Sequence, residues 1–285
     1  MSGSINFGHS PDADDAFMFH GFASGAVTIP GHAVEHTIRD IQTLNDLSIR
    51  AELDVTAISV AHYPEVSDKF RIMSAGASVG RNYGPVVVSK RAMTAEQLAE
   101  CVVGCPGEHT TSWLLYRILG HLCREVKFIN FDQLDAALED GGVDAAIMLH
   151  ERQITFQRDG LHEVVNLGRH WFDETGLPIP LGVDVINRRL APDVMQAVAD
   201  AFKTSIKHAQ SNPDAALEYA LQYGRGLDKA DGHKFIGMYV NADTLEMPSD
   251  VEAALEEIFK RARAAGVIDR VPQLDILRAR VQEGF

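Results

Sequence analysis

A histidine at the end of a long apolar run is the first residue of this chain placed to do chemistry. "DAAIMLH" (144–150) reads as a buried strand ending on His150, and a neutral imidazole in a sheltered site can take a proton as a general base. The plain alternative is a histidine that caps the following segment. Glu151 faces the opposite side of an extended chain and reads as a structural or orienting partner. A second candidate is "PGEHTTSW" (106–113), where a Pro-Gly turn leads into a helix. Thr110, Thr111 and Ser112 then offer unpaired first-turn N–H groups and hydroxyls, which suit an anion or an ordinary Thr cap equally, with His109 as an added donor. The third is "HSPDADDAFMF" (9–19). Asp12, Asp14 and Asp15 stand where a helix start favours carboxylates, and Ala16, Phe17, Phe19, Phe22 and Ala23 follow at helical spacing.

Competing chemistries fail on spacing. "HERQI" and "HEVVN" open like a zinc helix, but Ile154 and Asn166 stand where the second histidine is required. There is no GxxxxGK[ST] loop, "GASVGR" does not make GxGxxG, and no GxSxG elbow occurs. The expectation is chemistry by placed polar side chains, with no metal and no cofactor. Cys101, Cys105 and Cys123 are too few and wrongly spaced for a disulfide framework or zinc knuckle and read as buried thiols.

The elements that must position these residues follow from apolar periodicity. Strands are expected at 53–59, 85–89, 101–107, 125–131 and 144–150, alternating with helices at 40–51, 94–100, 109–122 and 131–141. This pattern implies βαβ units and a mostly parallel sheet, with ligands at the carboxyl ends of strands: His9 and Ser10, Ser59, residues 108–112, and His150 with Glu151. After a strand at 182–187 the pattern turns helical, over 193–210, 213–223, 228–240 and 249–265. The 285 residues imply two α/β lobes, with hinges near 85–89 and 182–187. The larger lobe is expected to hold 1–86 and 187–285, and the smaller 87–186.

A net charge of −14 argues against nucleic acid and anionic membranes as partners, since both demand a basic surface. A small anion remains possible at a local site. No stretch approaches the roughly 20 apolar residues that span a bilayer, and "MSGSINFGHS" has no leader pattern. A cytoplasmic monomer or homodimer is expected.

Taken in order, "SPDADDAFMF", "DIQTLN", "DVTAIS", "SAGASVGRNYGP", "PGEHTTSWLL", "DAAIMLHERQITF", "GLHEVVNLGRHW" and "ETGLPIPLGVDVINRRL" resemble the 1,4-dihydroxy-6-naphthoate synthase family of the futalosine route to menaquinone. The resemblance is strong from residue 5 to about 190 and general beyond. It implies a two-lobed fold of the type 2 periplasmic-binding-protein class, with a hinge, a central cleft and C-terminal covering helices. It implies cleavage of a carbon–carbon bond in cyclic dehypoxanthinyl futalosine, an anionic aromatic substrate, releasing a three-carbon fragment. The family's catalytic base matches His150. Its ligand contacts match Asn45, Ser59, Thr110 and Thr111, and Ser10 is the opening segment's direct contact. Arg81, in "GRNYG", is either a carboxylate clamp or a surface arginine. The family's usual "SPCPND" is replaced by residues with more negative charge at 12–15. A chorismate dehydratase-like enzyme and a non-catalytic binder of an aromatic carboxylate are the rival readings.

Overall fold

The chain, seen in a computed structural model that describes residues 3–223 and 228–280, alternates short buried strands with helices. The strands are β1 (Gly3–His9), β2 (His32–Ile38), β3 (Val55–Ser59), β4 (Phe70–Met73), β5 (Ser78–Gly80), β6 (Val86–Ser89), β7 (Val102–Cys105), β8 (Glu125–Phe128), β9 (Ala145–Met148), β10 (His162–Asn166), β11 (Ile179–Asn187) and β12 (Ile276–Leu277). Two compact units share them. The first takes the chain up to Val79, Gly182–Ser249 and the chain from Pro272; the second takes Gly80–Leu181 and Asp250–Val271.

In the first unit the sheet order is β12-β4-β11-β3-β1-β2, with β5 against β11. β1 runs parallel to β2 and β3, whereas β11 is antiparallel to β3 and β4. The helix Ala13–Ala23 starts because the Asp12 side chain accepts from the Asp15 N–H, the N-cap arrangement read from sequence. It packs on the helix Pro192–Ser211 through an aromatic cluster: Phe19 lies 5.5 Å from Phe7 and 5.1 Å from Phe202. The Ser205 hydroxyl donates to the Met18 carbonyl at 2.7 Å, which locks the pair at close range.

In the second unit the order is β10-β6-β9-β7-β8, with β6 antiparallel to both neighbours and β7 parallel to both of its own. Val88, Leu134, Ala146 and Phe156 form its core. Both sheets are thus mixed, not mostly parallel. The expected order of βαβ units holds, but β6 and β11 run against their neighbours.

The division of the chain also differs from the expected lobes. The chain passes between the units after Val79, Leu181, Ser249 and Val271, so residues 250–271 group with the second unit instead of the first. The reason lies in the helix Ser249–Ala264: its Arg261 pairs with Glu174 and lies over the Trp171 ring at 5.2 Å, and its Asp250 pairs with Arg81 at 2.8 Å. Among the described residues there is no disulfide: Cys101 and Cys105 are buried free thiols and Cys123 is half-buried. Burial pushes the Cys105 thiol up to about 12. No described helix is long and apolar enough to cross a membrane.

The close contact between the two helices leaves no room for a side chain at Gly21. A Cβ there would stand 2.7 Å from both Cα and Oγ of Ser205. Ala in place of Gly gains about 1 kcal/mol of helix propensity, but overpacking against backbone costs about 1–3 kcal/mol. Gly21→Ala is expected to lower stability, read as a drop in the urea unfolding midpoint; a rise would show that the helices separate easily.

Candidate active site

His150 follows β9 by one residue, Leu149, and sits in the left-handed region with φ of 50°. A non-glycine residue there is uncommon, and histidine is among those that tolerate it. The conformation turns the chain sharply as it leaves the strand, so the imidazole does not continue the strand's in-and-out alternation. Its ring lies 5.1 Å from that of Phe131, which gives it one apolar neighbour in the same unit. Glu151, next in the chain, is buried.

In the same unit, β7 ends at Cys105 and the chain enters the helix Thr111–Ile118. Thr110 is its N-cap: Oγ1 accepts from the Trp113 N–H at 3.4 Å and donates to the Gly107 carbonyl at 2.7 Å. The 3.1 Å contact with Ser112 Oγ therefore has Ser112 as donor. Thr111 Oγ1 donates to the Leu181 carbonyl at 2.6 Å. Both threonine hydroxyls are thus turned to the protein. What the helix start offers a ligand is the positive end of its dipole and the Ser112 N–H, the Trp113 N–H being taken by Thr110 Oγ1.

The first unit brings Asn45 and Ser59 together. Asn45 is fully buried; its Oδ1 accepts the Ser59 N–H at 2.9 Å and its Nδ2 donates to Ser59 Oγ at 3.2 Å. Behind it, Ser48 Oγ donates to the Asn45 carbonyl at 2.6 Å and so must accept from His62 Nε2 at 3.0 Å. The proton positions follow from this chain. His62 carries hydrogen on Nε2, and Ser59 Oγ, already an acceptor, keeps its own proton for another group. Asn45 is the residue that aims Ser59.

At the end of β1 a second polar chain holds Ser10. His9 Nδ1 lies 3.2 Å from the Ser10 carbonyl, which can only accept, so Nδ1 is protonated and Nε2 accepts from His36 Nδ1 at 3.1 Å. Burial, with His36 beside it, holds the His9 imidazole down to about 4, so it stays neutral near pH 7. The Ser10 N–H donates to Asp15 Oδ2 at 2.7 Å. Burial and the nearby Asp12, Asp14 and Asp184 push the Asp15 carboxyl well above the usual carboxylate range, against the pull of that N–H. Asp184, on β11, is pushed the same way by burial, and its Oδ1 has no hydrogen-bond partner among the described residues.

With this geometry in place, residues 5–264 match the family model described as "Menaquinone biosynthesis". The chain belongs to the menaquinone biosynthesis family. It is 34% identical over 271 residues to the 1,4-dihydroxy-6-naphthoate synthase of Streptomyces coelicolor, covering 93% of this chain and 95% of that one. A solved protein from Archaeoglobus fulgidus is 43% identical with a TM-score of 0.89, covering 93% of this chain and 98% of that one. A Candida albicans protein with the generic periplasmic binding protein fold matches at a TM-score of 0.71 and 13% identity, over 99% of this chain and 98% of that one, and shares the fold alone. The fold of this menaquinone biosynthesis family member is therefore periplasmic-binding-protein-like.

Of the residues singled out in this family member's sequence, Asn45 and Ser59 meet in the first unit, which also holds Ser10; Thr110, Thr111 and His150 lie in the second. Arg81 is engaged by Asp250 through both terminal nitrogens, at 2.8 and 3.3 Å, so the carboxylate facing it belongs to its own unit. Two groups of residues escaped the sequence reading. Ser48 stands three residues after Asn45 on one helix, a same-face spacing that signals a shared network. Asp184 is a lone acid inside the apolar strand "VDVIN", a mismatch visible in the sequence.

A carboxyl whose folded value is raised favours folding at low pH and costs stability as pH climbs from the ordinary carboxylate range toward the folded value. Asp184→Asn removes that cost. It is expected to stabilise the protein by about 1–3 kcal/mol at pH 8, with the gain shrinking toward pH 4.5 in urea unfolding. A gain of equal size at both pH values would mean that Asp184 does not titrate on folding.

Proposed function

We propose that this chain converts cyclic dehypoxanthinyl futalosine to 1,4-dihydroxy-6-naphthoate as a carbon–carbon lyase acting in the cytoplasm. The observation that carries this reading is the near-full-length likeness to a synthase of that name, in a match that contains every residue assigned a role. His150 is the general base that takes a proton from a substrate hydroxyl or from a carbon beside a carbonyl. The helix start at Thr110 and Thr111 receives the substrate carboxylate or the developing oxyanion through its dipole and the Ser112 N–H. Asn45 holds Ser59 so that the serine hydroxyl donates to a substrate oxygen, and Ser10 offers a further polar contact. Arg81 serves the ligand only by exchanging Asp250 for its carboxylate.

The left-handed backbone at His150 decides how to test the base. Asparagine adopts positive φ readily, so His150→Asn removes the imidazole while preserving the turn. It is expected to lower kcat about 10²- to 10⁴-fold with little change in KM, measured by dihydroxynaphthoate formation. A variant that keeps the wild-type kcat would remove His150 from the mechanism.

For the first unit, Ser59→Ala and Asn45→Ala are each expected to raise KM about 10-fold, the scale of one hydrogen bond to a charged or polarised group. Because Asn45 acts through Ser59, the double variant should bind no worse than the weaker single one. Strictly additive losses would mean that Asn45 and Ser59 meet the substrate separately.

A further inference from the structure

The helix Pro192–Ser211 has two faces. Phe202, Ser205, Ile206 and Ala209 are buried, and Ser205 bonds the first helix. On the other face Lys203, Thr204, Lys207 and His208 recur at helical spacing and line a groove of about 630 Å³, with Arg280 and Asp200. In a chain of net charge −14, three cations around one concavity are a local reversal of sign. The groove lies wholly within the first unit. It adjoins Ala26 and Val27, just past the C-terminal end of the helix that starts beside Ser10. An 11-residue helix, about 16 Å long, separates it from that loop.

The charges in the groove are unevenly matched. Asp200 Oδ1 already accepts the Arg280 N–H at 2.7 Å and Gln196 Nε2 at 2.8 Å. Lys203 is paired with Glu246. The Lys207 ammonium and the Arg280 guanidinium have no acidic partner among the described residues. An ammonium and a planar guanidinium together suit oxygens on a tetrahedral, multiply charged centre better than a single carboxylate, which one of them alone would satisfy. The volume is that of a metabolite site. The acidic remainder of the protein disfavours an anionic bilayer or nucleic acid as the occupant.

We propose that this groove binds a small soluble phosphate-bearing anion through Lys207 and Arg280, at a site separate from the residues assigned to catalysis. Both cations are exposed, so the affinity is modest and falls as salt rises.

The test is titration of the full-length protein with inorganic pyrophosphate at low ionic strength by isothermal calorimetry, with acetate at equal ionic strength as the control. One pyrophosphate per chain is expected, with acetate inert. Lys207→Ala combined with Arg280→Ala should weaken binding at least 10-fold while leaving the urea unfolding midpoint of the unliganded protein unchanged. Should that variant unfold, Lys207→Gln alone, which keeps the stem of the side chain, should still cut the affinity several-fold. Absence of binding to the wild type at millimolar pyrophosphate, or equal binding by wild type and variants, would overturn the proposal; the second result would place the anion elsewhere, as at the Thr110 helix start.

Discussion

Asn45 is sealed from water, so each of its polar atoms must be answered inside the first unit. A buried donor or acceptor left without a partner costs about 1–3 kcal/mol. Asn45 avoids this by spending its amide on the N–H and the hydroxyl of Ser59, while its own carbonyl is met by Ser48 and, behind that, His62. Satisfying these groups also fixes which way each proton points. The same constraint operates at Thr110, whose hydroxyl closes the turn to Gly107 and caps the helix, and at Ser10, held between His9 and Asp15. The residues that end the strands are aimed by the need to bury them well.

Two places depart from that rule. Asp184 keeps an oxygen without a partner in a wholly buried position, and a Cβ on Gly76 would lie 2.2 Å from its other oxygen. His150 holds a backbone conformation that costs most residues about 1–2 kcal/mol. Costs of this kind persist where the surrounding structure enforces them and cluster at functional sites. His150 follows the buried strand β9 by one residue, and its left-handed backbone takes the imidazole out of the strand's alternation. Asp184 belongs to the carboxyl cluster that includes Asp15, whose hydrogen bond fixes the Ser10 backbone.

Much of this was legible in the sequence because it rests on local chemistry. The Asp12 and Thr110 caps, the strand end at Ser59 and the long helix over 193–210 follow from residue type and spacing, whereas the strand expected to end on His150 stops at Met148. What escaped depends on partners distant in the chain. The antiparallel direction of β6 and β11 is invisible to periodicity, which reads burial and not strand polarity. The grouping of residues 250–271 with the second unit rests on Arg261 with Glu174 and Asp250 with Arg81, pairs that no local pattern announces. "GRNYG" suits a carboxylate clamp or a surface arginine at Arg81 equally, and the sequence cannot show that Asp250 already occupies the guanidinium. The reaction is proposed from the likeness of the chain to a family; neither periodicity nor spacing contains it.

Every residue role assigned above depends on the proposed carbon–carbon cleavage by this binding-protein-like fold. The direct measurement is to incubate the purified protein separately with cyclic dehypoxanthinyl futalosine and with chorismate and to identify the products by chromatography and mass. Catalytic formation of 1,4-dihydroxy-6-naphthoate from the first, with chorismate untouched, is the expected result. Turnover of chorismate, or stoichiometric binding of the first compound by a folded protein with no product, would contradict it.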